Sequence, residues 1–235
     1  MAQNLQVHYQ LRSDKQHIST TLEQFTGDKL GLTYWFITVD YKDIYGANHI
    51  LEGNATSVYG EFYRFFTIPK TGGLMAGIQY ADGFMIDRYL TNIYAPEENP
   101  TDEYMGYHFG RYWMLGFAYN VPIGKMHVLT SIWAKKKQGY DYDWQLTLAW
   151  GHNFWEDRLT FNGYFDVWGE RRSVDASNPS SVNPYKVVLL TEPQLYYNFN
   201  AHLAVGVKTQ LSYNFEYGFD GQFRVAPTVA ARWNF

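Results

Sequence analysis

Cysteine is absent from the 235-residue chain, and so is any long hydrophobic run. Without cysteine the chain has no disulfide framework and no thiolate metal site. The longest apolar stretch, about residues 30–39, is interrupted by Thr33 and Thr38. It is shorter than the roughly 18 apolar residues that a transmembrane helix needs. These absences argue against a disulfide-stabilised fold and against a helical membrane protein.

An excess of basic charge is also lacking. The chain has 19 Lys and Arg against 23 Asp and Glu, a net charge of −4, and its basic residues form no stripe. We therefore expect no nucleic-acid partner, because phosphate backbones are bound through clustered cations. The seven His are scattered along the chain without metal-ligand spacing. An acidic stretch from Glu97 to Glu103 either is a solvated loop, the reading that we favour, or binds a divalent cation, and we expect no cofactor.

Aromatic residues are abundant, at 19% of the chain, although the mean hydropathy is only −0.38. A transmembrane β-barrel has this combination, because its strands expose an apolar side chain to lipid only at every second position. The length suits a single domain, residues 1–235. The composition therefore indicates one all-β barrel.

The last fifteen residues, from Gly221 to Phe235, show the expected alternation most clearly. One face of this predicted strand carries Phe223, Val225, Pro227, Val229, Ala231, Trp233 and Phe235, and the other carries Gln222, Arg224, Ala226, Thr228, Ala230, Arg232 and Asn234. The pattern is typical of the closing strand of an outer-membrane barrel. A final aromatic resembles the signal that the barrel-assembly machinery reads, so we expect Phe235 to be bound by that machinery.

Alternating segments of this kind predict about twelve antiparallel strands, each near the roughly 9–11 residues that a tilted spanning strand needs. The three long connections are predicted at about residues 42–55, 82–107 and 171–184, and all of them follow odd-numbered strands. Connections after even-numbered strands are short. Outer-membrane barrels have short periplasmic turns and longer outer loops, so we expect both termini to be periplasmic.

Several segments resemble Tsx-like barrels, the nucleoside-specific channel family and its uncharacterised relatives. The resemblance spans nearly the whole chain, and its motifs are Glu23–Gly31 followed by Tyr34-Trp35-Phe36, Gly60–Arg64, Gly163–Trp168 and Thr191–Tyr196. It implies a twelve-stranded monomeric barrel in a Gram-negative outer membrane, in contact with outer-membrane lipid. It also implies passage of nucleosides or similar small solutes, and the chain looks closer to the uncharacterised branch.

The candidate site is the lumen, because an Arg or Lys that faces lipid at the membrane midplane costs about 2–4 kcal/mol. Strand parity directs inward the candidate solute-contacting residues Glu61, Tyr164, Asp166, Trp168, Glu192, Gln194, Lys208 and Arg224. The same parity directs inward His8, Arg12, Glu23, Asp40, Gln210 and Arg232. The aromatic residues that parity directs inward either stack on nucleobases or fill space in the lumen. They are Tyr59, Tyr63, Tyr164, Trp168 and Tyr196.

One contact is predicted in detail. A tight turn at 198–202 places Glu192 opposite Lys208, so we expect a cross-strand ion pair halfway up the barrel. This pair is either an internal gate or solute anchor, or a structural pair that neutralises two lumen charges. We also expect a bulge or kink at Pro193, because proline donates no ladder hydrogen bond.

These patterns favour a passive channel for small polar solutes, with nucleosides as candidates. The alternative is a lumen-plugged structural or partner-binding barrel whose outer loops or lipid face dock another envelope protein. An enzyme is not expected, because no Gly-x-Ser-x-Gly motif occurs and His152 and His202 fall near the predicted periplasmic side.

Overall fold

The computed structural model describes residues 2–13, 16–42, 54–90, 102–138, 140, 142–170, 185–216 and 219–235. Their strands are β1 (Ala2–Gln10), β2 (Ile18–Asp28), β3 (Gly31–Lys42), β4 (Asn54–Thr67), β5 (Met75–Leu90), β6 (Asp102–Ile123), β7 (Met126–Lys137), β8 (Tyr142–Phe154), β9 (Leu159–Glu170), β10 (Lys186–Thr191), β11 (Gln194–Asn198), β12 (Leu203–Tyr213) and β13 (Phe223–Asn234). Within these ranges no helix is long and apolar enough to cross a membrane.

The strands form one closed antiparallel sheet. Each strand pairs with its neighbours in sequence, and β1 also pairs with β13, from Asn4 opposite Asn234 to Gln10 opposite Thr228. The thirteen segments make twelve strands, because β10 and β11 both lie between β9 and β12. The predicted all-β, twelve-stranded barrel is confirmed. Its even strand number places both termini at the same end.

Side chains alternate between the lumen and the outer surface as the sequence predicts. On β13, Thr228 and Ala230 are buried, whereas Val229 and Trp233 are exposed on the outside. The parity of β3, which its aromatics obscured, is fixed by pairing with β4: Phe36 lies opposite Glu61 on the inner face. Leu115, Ile132 and Val207 belong to the exposed apolar belt, which a bilayer would cover.

Short turns join the strands at the end that carries both termini. Gly124 and Lys125 form one of them, and Gly124 has a φ of 61°, which glycine adopts without strain. The strands that flank the three predicted long connections end at the opposite side of the barrel, and residues 43–53, 91–101 and 171–184 themselves are outside the described part of the chain.

The predicted loop at 82–107 was wrong in extent. β5 continues to Leu90 and β6 begins at Asp102, and these two residues pair. Asp82, the first residue of the predicted loop, pairs within the sheet with Arg111, and Nε and Oδ2 are 3.0 Å apart. Glu97 and Glu98 lie outside the described residues, so the cation hypothesis for that stretch stays a prediction.

The strand that contains Pro193 is interrupted there, and the bulge that was one of the two predicted irregularities is absent. β10 stops at Thr191 and β11 starts at Gln194, and the register against β9 and β12 is the same on both sides of the gap. No residue is inserted. Gly163 lies beside the gap, where a Cβ atom would be 2.6 Å from the Glu192 carbonyl oxygen.

The interior has two unlike halves. An apolar cluster fills the half next to β4–β7, and its buried members are Phe65, Met75, Ala81, Tyr112, Met114, Ala118 and Trp133. The other half, along β1 and β9–β13, is lined mainly by polar side chains such as Gln6, His8 and Thr228, which are buried. The predicted site residues lie mostly at the boundary between the halves and along the polar side.

Candidate functional site

The strand pairing places the predicted site residues on the inner face. Glu61 lies on β4, Tyr164, Asp166 and Trp168 on β9, Glu192 in the gap after β10, Gln194 on β11, Lys208 on β12 and Arg224 on β13. They form four separate groups rather than one cluster: a carboxylate network on Glu61, an ion pair on Glu192, a polar patch on β9, and an ion-pair group at the loop end.

Glu61 is the acceptor of a dense hydrogen-bond network. Tyr112 donates to its Oε1 at 2.8 Å, and Gln79 donates to its Oε2 at 2.9 Å. Tyr59 also donates to Oε1, and Tyr63 donates to Oε2. Gln79 and Tyr112 were not predicted as site residues. Their sequence signal was their alternation along β5 and β6, where Gln79 shares a face with Gly77 and Tyr112 shares a face with Met114. Four neutral donors thus hold one carboxylate in place across three strands.

The predicted ion pair between Glu192 and Lys208 is confirmed, with Nζ and Oε1 3.2 Å apart. Its register was wrong by two residues, because Gln194 lies directly opposite Lys208. The connection between Asn198 and Ala204 is centred one residue later than predicted. Lys208 therefore reaches diagonally to Glu192, which also accepts a hydrogen bond from Gln194 at 3.0 Å.

The polar patch on β9 is linked to β8. Asp166 accepts a hydrogen bond from the Thr147 hydroxyl at 2.5 Å. Nearer the loop end, Lys135 donates to Oε1 of Gln145 at 3.0 Å, and its ammonium lies 4.7 Å from the centre of the Trp168 ring. Sequence analysis missed Lys135, since the run of three lysines resembled a strand end.

Arg224 belongs to an ion-pair group at the loop end. Arg12 donates two hydrogen bonds to the Glu216 carboxylate, at 2.7 and 2.9 Å, and Arg224 approaches the same carboxylate at 3.6 Å. Arg224 also lies over the Phe219 ring, 4.0 Å from its centre. Glu216 is buried, so the segment between β12 and β13 is anchored inside the mouth of the barrel.

Several buried polar atoms of the lumen make no hydrogen bond to another described residue. They are Nδ1 and Nε2 of His8, Oδ1 of Asn162, Oγ of Ser212, Nε of Arg232 and Oε1 of Gln79. Buried polar atoms of this kind bind water in folded proteins. Across the described ranges, no three His, Asp or Glu side chains converge as a metal ion requires. The arrangement suits non-covalent contact with polar molecules.

The location follows from the architecture. In a closed barrel each strand has a neighbour on both sides, so no sheet edge is exposed, and this barrel carries apolar side chains outside and polar ones along half of its lumen. This is the architecture of Gram-negative outer-membrane proteins, and the chain is an outer-membrane β-barrel.

Solved structures of outer-membrane proteins align with the whole chain at low similarity. Omp33 of Acinetobacter baumannii is 11% identical, with 100% of this chain and 97% of that chain covered and a TM-score of 0.42. The β domain of the Bordetella autotransporter BrkA is 10% identical, with coverages of 100% and 98% and a TM-score of 0.44. OmpT of Vibrio cholerae is 10% identical, with coverages of 100% and 98% and a TM-score of 0.41. At these scores the fold assignment rests on the strand pairing itself.

No curated protein matches the sequence. A family match covers almost all of it, from residue 2 to residue 235. The matching family carries the description "Domain of unknown function (DUF5020)", and the Tsx-like similarity remains a resemblance of short motifs. On this match the chain belongs to the DUF5020 family.

Proposed function

We propose that this barrel is a narrow, passive channel for small polar solutes, with nucleosides as the first candidates. The termini and short turns would face the periplasm, and the long connections would face outside. The Tsx-like motifs support nucleosides, and the inward, half-buried Tyr164 offers a ring on which a base can stack. A catalytic role is not part of the proposal.

The observation that carries the proposal is the row of buried polar atoms on one wall of the lumen. Arg232 lies near the turn end of β13, His8 near the middle of the barrel, and Ser212 near the loop end of β12. Each has a polar atom that no described protein group satisfies. Movement of the neighbouring side chains would open this row to water and form a hydrated track beside the Glu192–Lys208 pair, which a small polar solute can follow.

The experiment is swelling of liposomes that contain the full-length, folded chain. Adenosine and uridine are compared with disaccharides of similar size and with larger oligosaccharides. We expect the nucleosides to enter, the oligosaccharides to be excluded, and the disaccharides to enter more slowly. Permeability to none of these solutes would refute the channel, whereas equal rates for nucleosides and disaccharides would refute only the nucleoside preference.

Substitution of His8 tests the hydrated track. His8→Leu removes two polar atoms from the polar wall, so we expect solute entry to slow several-fold while the barrel still folds. Val7→Leu is the matched control, because Val7 is the adjacent residue and points outward, where it is 46% exposed. Unchanged entry in His8→Leu would contradict a route along this wall.

The alternative, a lumen-plugged structural or partner-binding barrel, is favoured by a different observation. Met114 and Trp133 are almost fully buried in the apolar cluster that occupies the other half of the lumen. A barrel with this half filled and its polar half locked by ion pairs would pass nothing. Its outer loops or lipid face would then dock another envelope protein, and exposed Phe235 would bind the barrel-assembly machinery in either case.

A further inference from the structure

The barrel wall is incomplete between β8 and β9 at the loop end. The β8–β9 ladder ends at the pair Gln145–Trp168, although β8 continues to Tyr142 and β9 continues to Glu170. The outer neighbours stay paired further, since β7 pairs with β8 as far as Tyr142 and β10 pairs with β9 as far as Glu170. The two strands therefore separate above Gln145, and we call this gap the β8–β9 seam.

Side chains bridge the β8–β9 seam in place of backbone hydrogen bonds. On the outer side, the Tyr185 hydroxyl accepts from Nε1 of Trp144 at 2.7 Å and donates to Asp143 at 3.4 Å. Asp143 also accepts from the backbone N–H of Trp144 at 2.9 Å, so this donor is satisfied without β9. On the inner side, Lys137 and Glu170 form an ion pair at 2.8 Å.

Gly169 lets Tyr185 cross the seam. A Cβ atom at this position would be 1.8 Å from the Tyr185 hydroxyl and 2.3 Å from Oδ1 of Asp143. The outer bridge therefore depends on a residue without a side chain. Because both bridges consist only of side-chain contacts, they can open without unfolding a ladder, unlike the rest of the wall.

A pocket of about 130 Å³ lies in the seam. Its lining comes from both faces of the wall and comprises Lys135, Lys137, Tyr140, Tyr142, Asp143, Trp168, Gly169, Glu170 and Tyr185. On the outer surface Tyr142 is 79% exposed, Trp144 41% and Tyr185 49%. Aromatic side chains in this arrangement mark the membrane–water interface of barrels, which is the level at which lipid headgroups lie.

Lys135 is the cation of this pocket that has no ion-pair partner among the described residues, and the other charged lining residues are Lys137, Glu170 and Asp143. Lys135 is only 8% exposed, and the contacts of its ammonium among the described side chains are all neutral: Gln145, the Tyr112 ring at 4.4 Å and the Trp168 ring at 4.7 Å. Lys137, by contrast, is paired with Glu170. The carboxylates of Glu170, Glu61 and Asp166 act on this ammonium only from beyond ion-pair distance. A buried ammonium that has lost its hydration and has no contacting carboxylate favours an anionic partner.

The geometry points to the β8–β9 seam as a lateral binding site for a single-chain amphiphile with an anionic headgroup. The headgroup oxygens bind Lys135 inside the pocket. The hydrocarbon chain passes out beside Gly169 and the Tyr185 ring into the surrounding lipid. A fatty-acid carboxylate and a lipid phosphate share this chemistry. The site is independent of solute passage along the barrel axis, so failure of either proposal leaves the other standing.

The test compares ligands that differ only in their headgroup. The folded full-length chain in non-ionic detergent micelles is titrated with hexadecanoate, hexadecyl phosphate and hexadecanol, and bound ligand is measured by native mass spectrometry. We expect at least one anion to bind about tenfold more tightly than the alcohol, and the better of the two anions identifies the headgroup. Equal affinity for the alcohol, or binding of none of the three, would overturn the proposal without any variant being needed.

Variants locate the site. Lys135→Met should abolish the preference for the anion, whereas Lys136→Met should keep it, because Lys136 is the next residue of β7 and points outward. Equal losses in both variants would overturn the assignment to the pocket. Acetate and inorganic phosphate serve as soluble competitors. If acetate or inorganic phosphate displaced the long-chain anion at equal concentration, the site would bind anions from water without using the hydrocarbon chain. That result would overturn the proposal of an amphiphile site.

Discussion

Glu61 shows how one buried side chain can organise several strands. Its two oxygens accept hydrogen bonds from Tyr59, Tyr63, Tyr112 and Gln79, which lie on three neighbouring strands. Glu61 is the one carboxylate among the described hydrogen-bond partners of these tyrosines, and the hydroxyls of Tyr59 and Tyr112 also bond to each other at 3.1 Å. The apolar cluster packs directly against Tyr59 and Tyr63. The carboxylate therefore fixes the boundary between the polar and apolar halves of the lumen.

We expect Glu61→Ala to lower the free energy of unfolding by about 2 kcal/mol, because it leaves buried donors without an acceptor. Glu61→Gln is the matched control, since it keeps one carbonyl oxygen and the shape of the side chain, and it should cost less than half as much. Urea titration of the folded protein in lipid vesicles measures both. Equal losses would show that the volume of the side chain matters and that the hydrogen bonds do not.

At the scale of the strand, the interruption at Pro193 depends on its neighbour β9. Thr191 and Glu192 both bond to the carbonyl of Tyr164, through Oγ1 and the backbone N–H respectively, and the Pro193 carbonyl accepts from the Thr209 N–H at 3.1 Å. These contacts keep the register constant across the gap. Gly163 makes room for them, because it leaves the space beside the Glu192 carbonyl empty.

Gly163→Ala should lower the free energy of unfolding by about 2 kcal/mol, since the added methyl group would overlap backbone atoms that cannot move freely. Gly151→Ala, on the adjacent strand β8, is the control, because its nearest neighbour would be 3.9 Å away. Urea unfolding in vesicles again gives the comparison. If Gly151→Ala is as destabilising as Gly163→Ala, close packing at the gap is not the cause.

The strands were predictable because lipid outside and a polar lumen inside impose a period of two on β8, β9 and β13. The ion pair between Glu192 and Lys208 was predictable for the same reason, and a long lysine side chain tolerated the error of two residues in register. The end of the β8–β9 ladder was not predictable. It depends on the Tyr185 hydroxyl replacing a backbone partner, and residues 144 and 185 are far apart in sequence without any periodic signal.

At the scale of the whole molecule, side chains from both ends of the chain meet at the loop end of the barrel. Arg12 follows β1 and Glu216 precedes β13, and their bidentate pair joins the two neighbouring connections. Glu216 is buried there beside Arg224. A solute that enters the polar half of the lumen from this end must pass this group.

Glu216→Gln should loosen the segment between β12 and β13, because it removes the charge from a buried, bidentate pair. We expect chymotrypsin to cleave next to Phe215 and Phe219 about tenfold faster in vesicles, since proteolysis follows the population of the open segment. Asp220→Asn is the control. Asp220 lies in the same segment and pairs with Lys186 of β10, but its side chain is more exposed than that of Glu216. Equal acceleration in both variants would contradict an anchoring role for Glu216.

The pairing of β1 with β13 has a consequence for how the molecule forms. Asn4 and Asn234 are neighbours in the sheet although nearly the whole chain separates them, which gives this ladder the highest contact order of the fold. Every other ladder joins segments closer in sequence, so this one has the largest loop-closure entropy to overcome. Until it forms, β1 and β13 each present an unpaired edge to other chains. Folding should therefore be slowest, and aggregation fastest, at this one step.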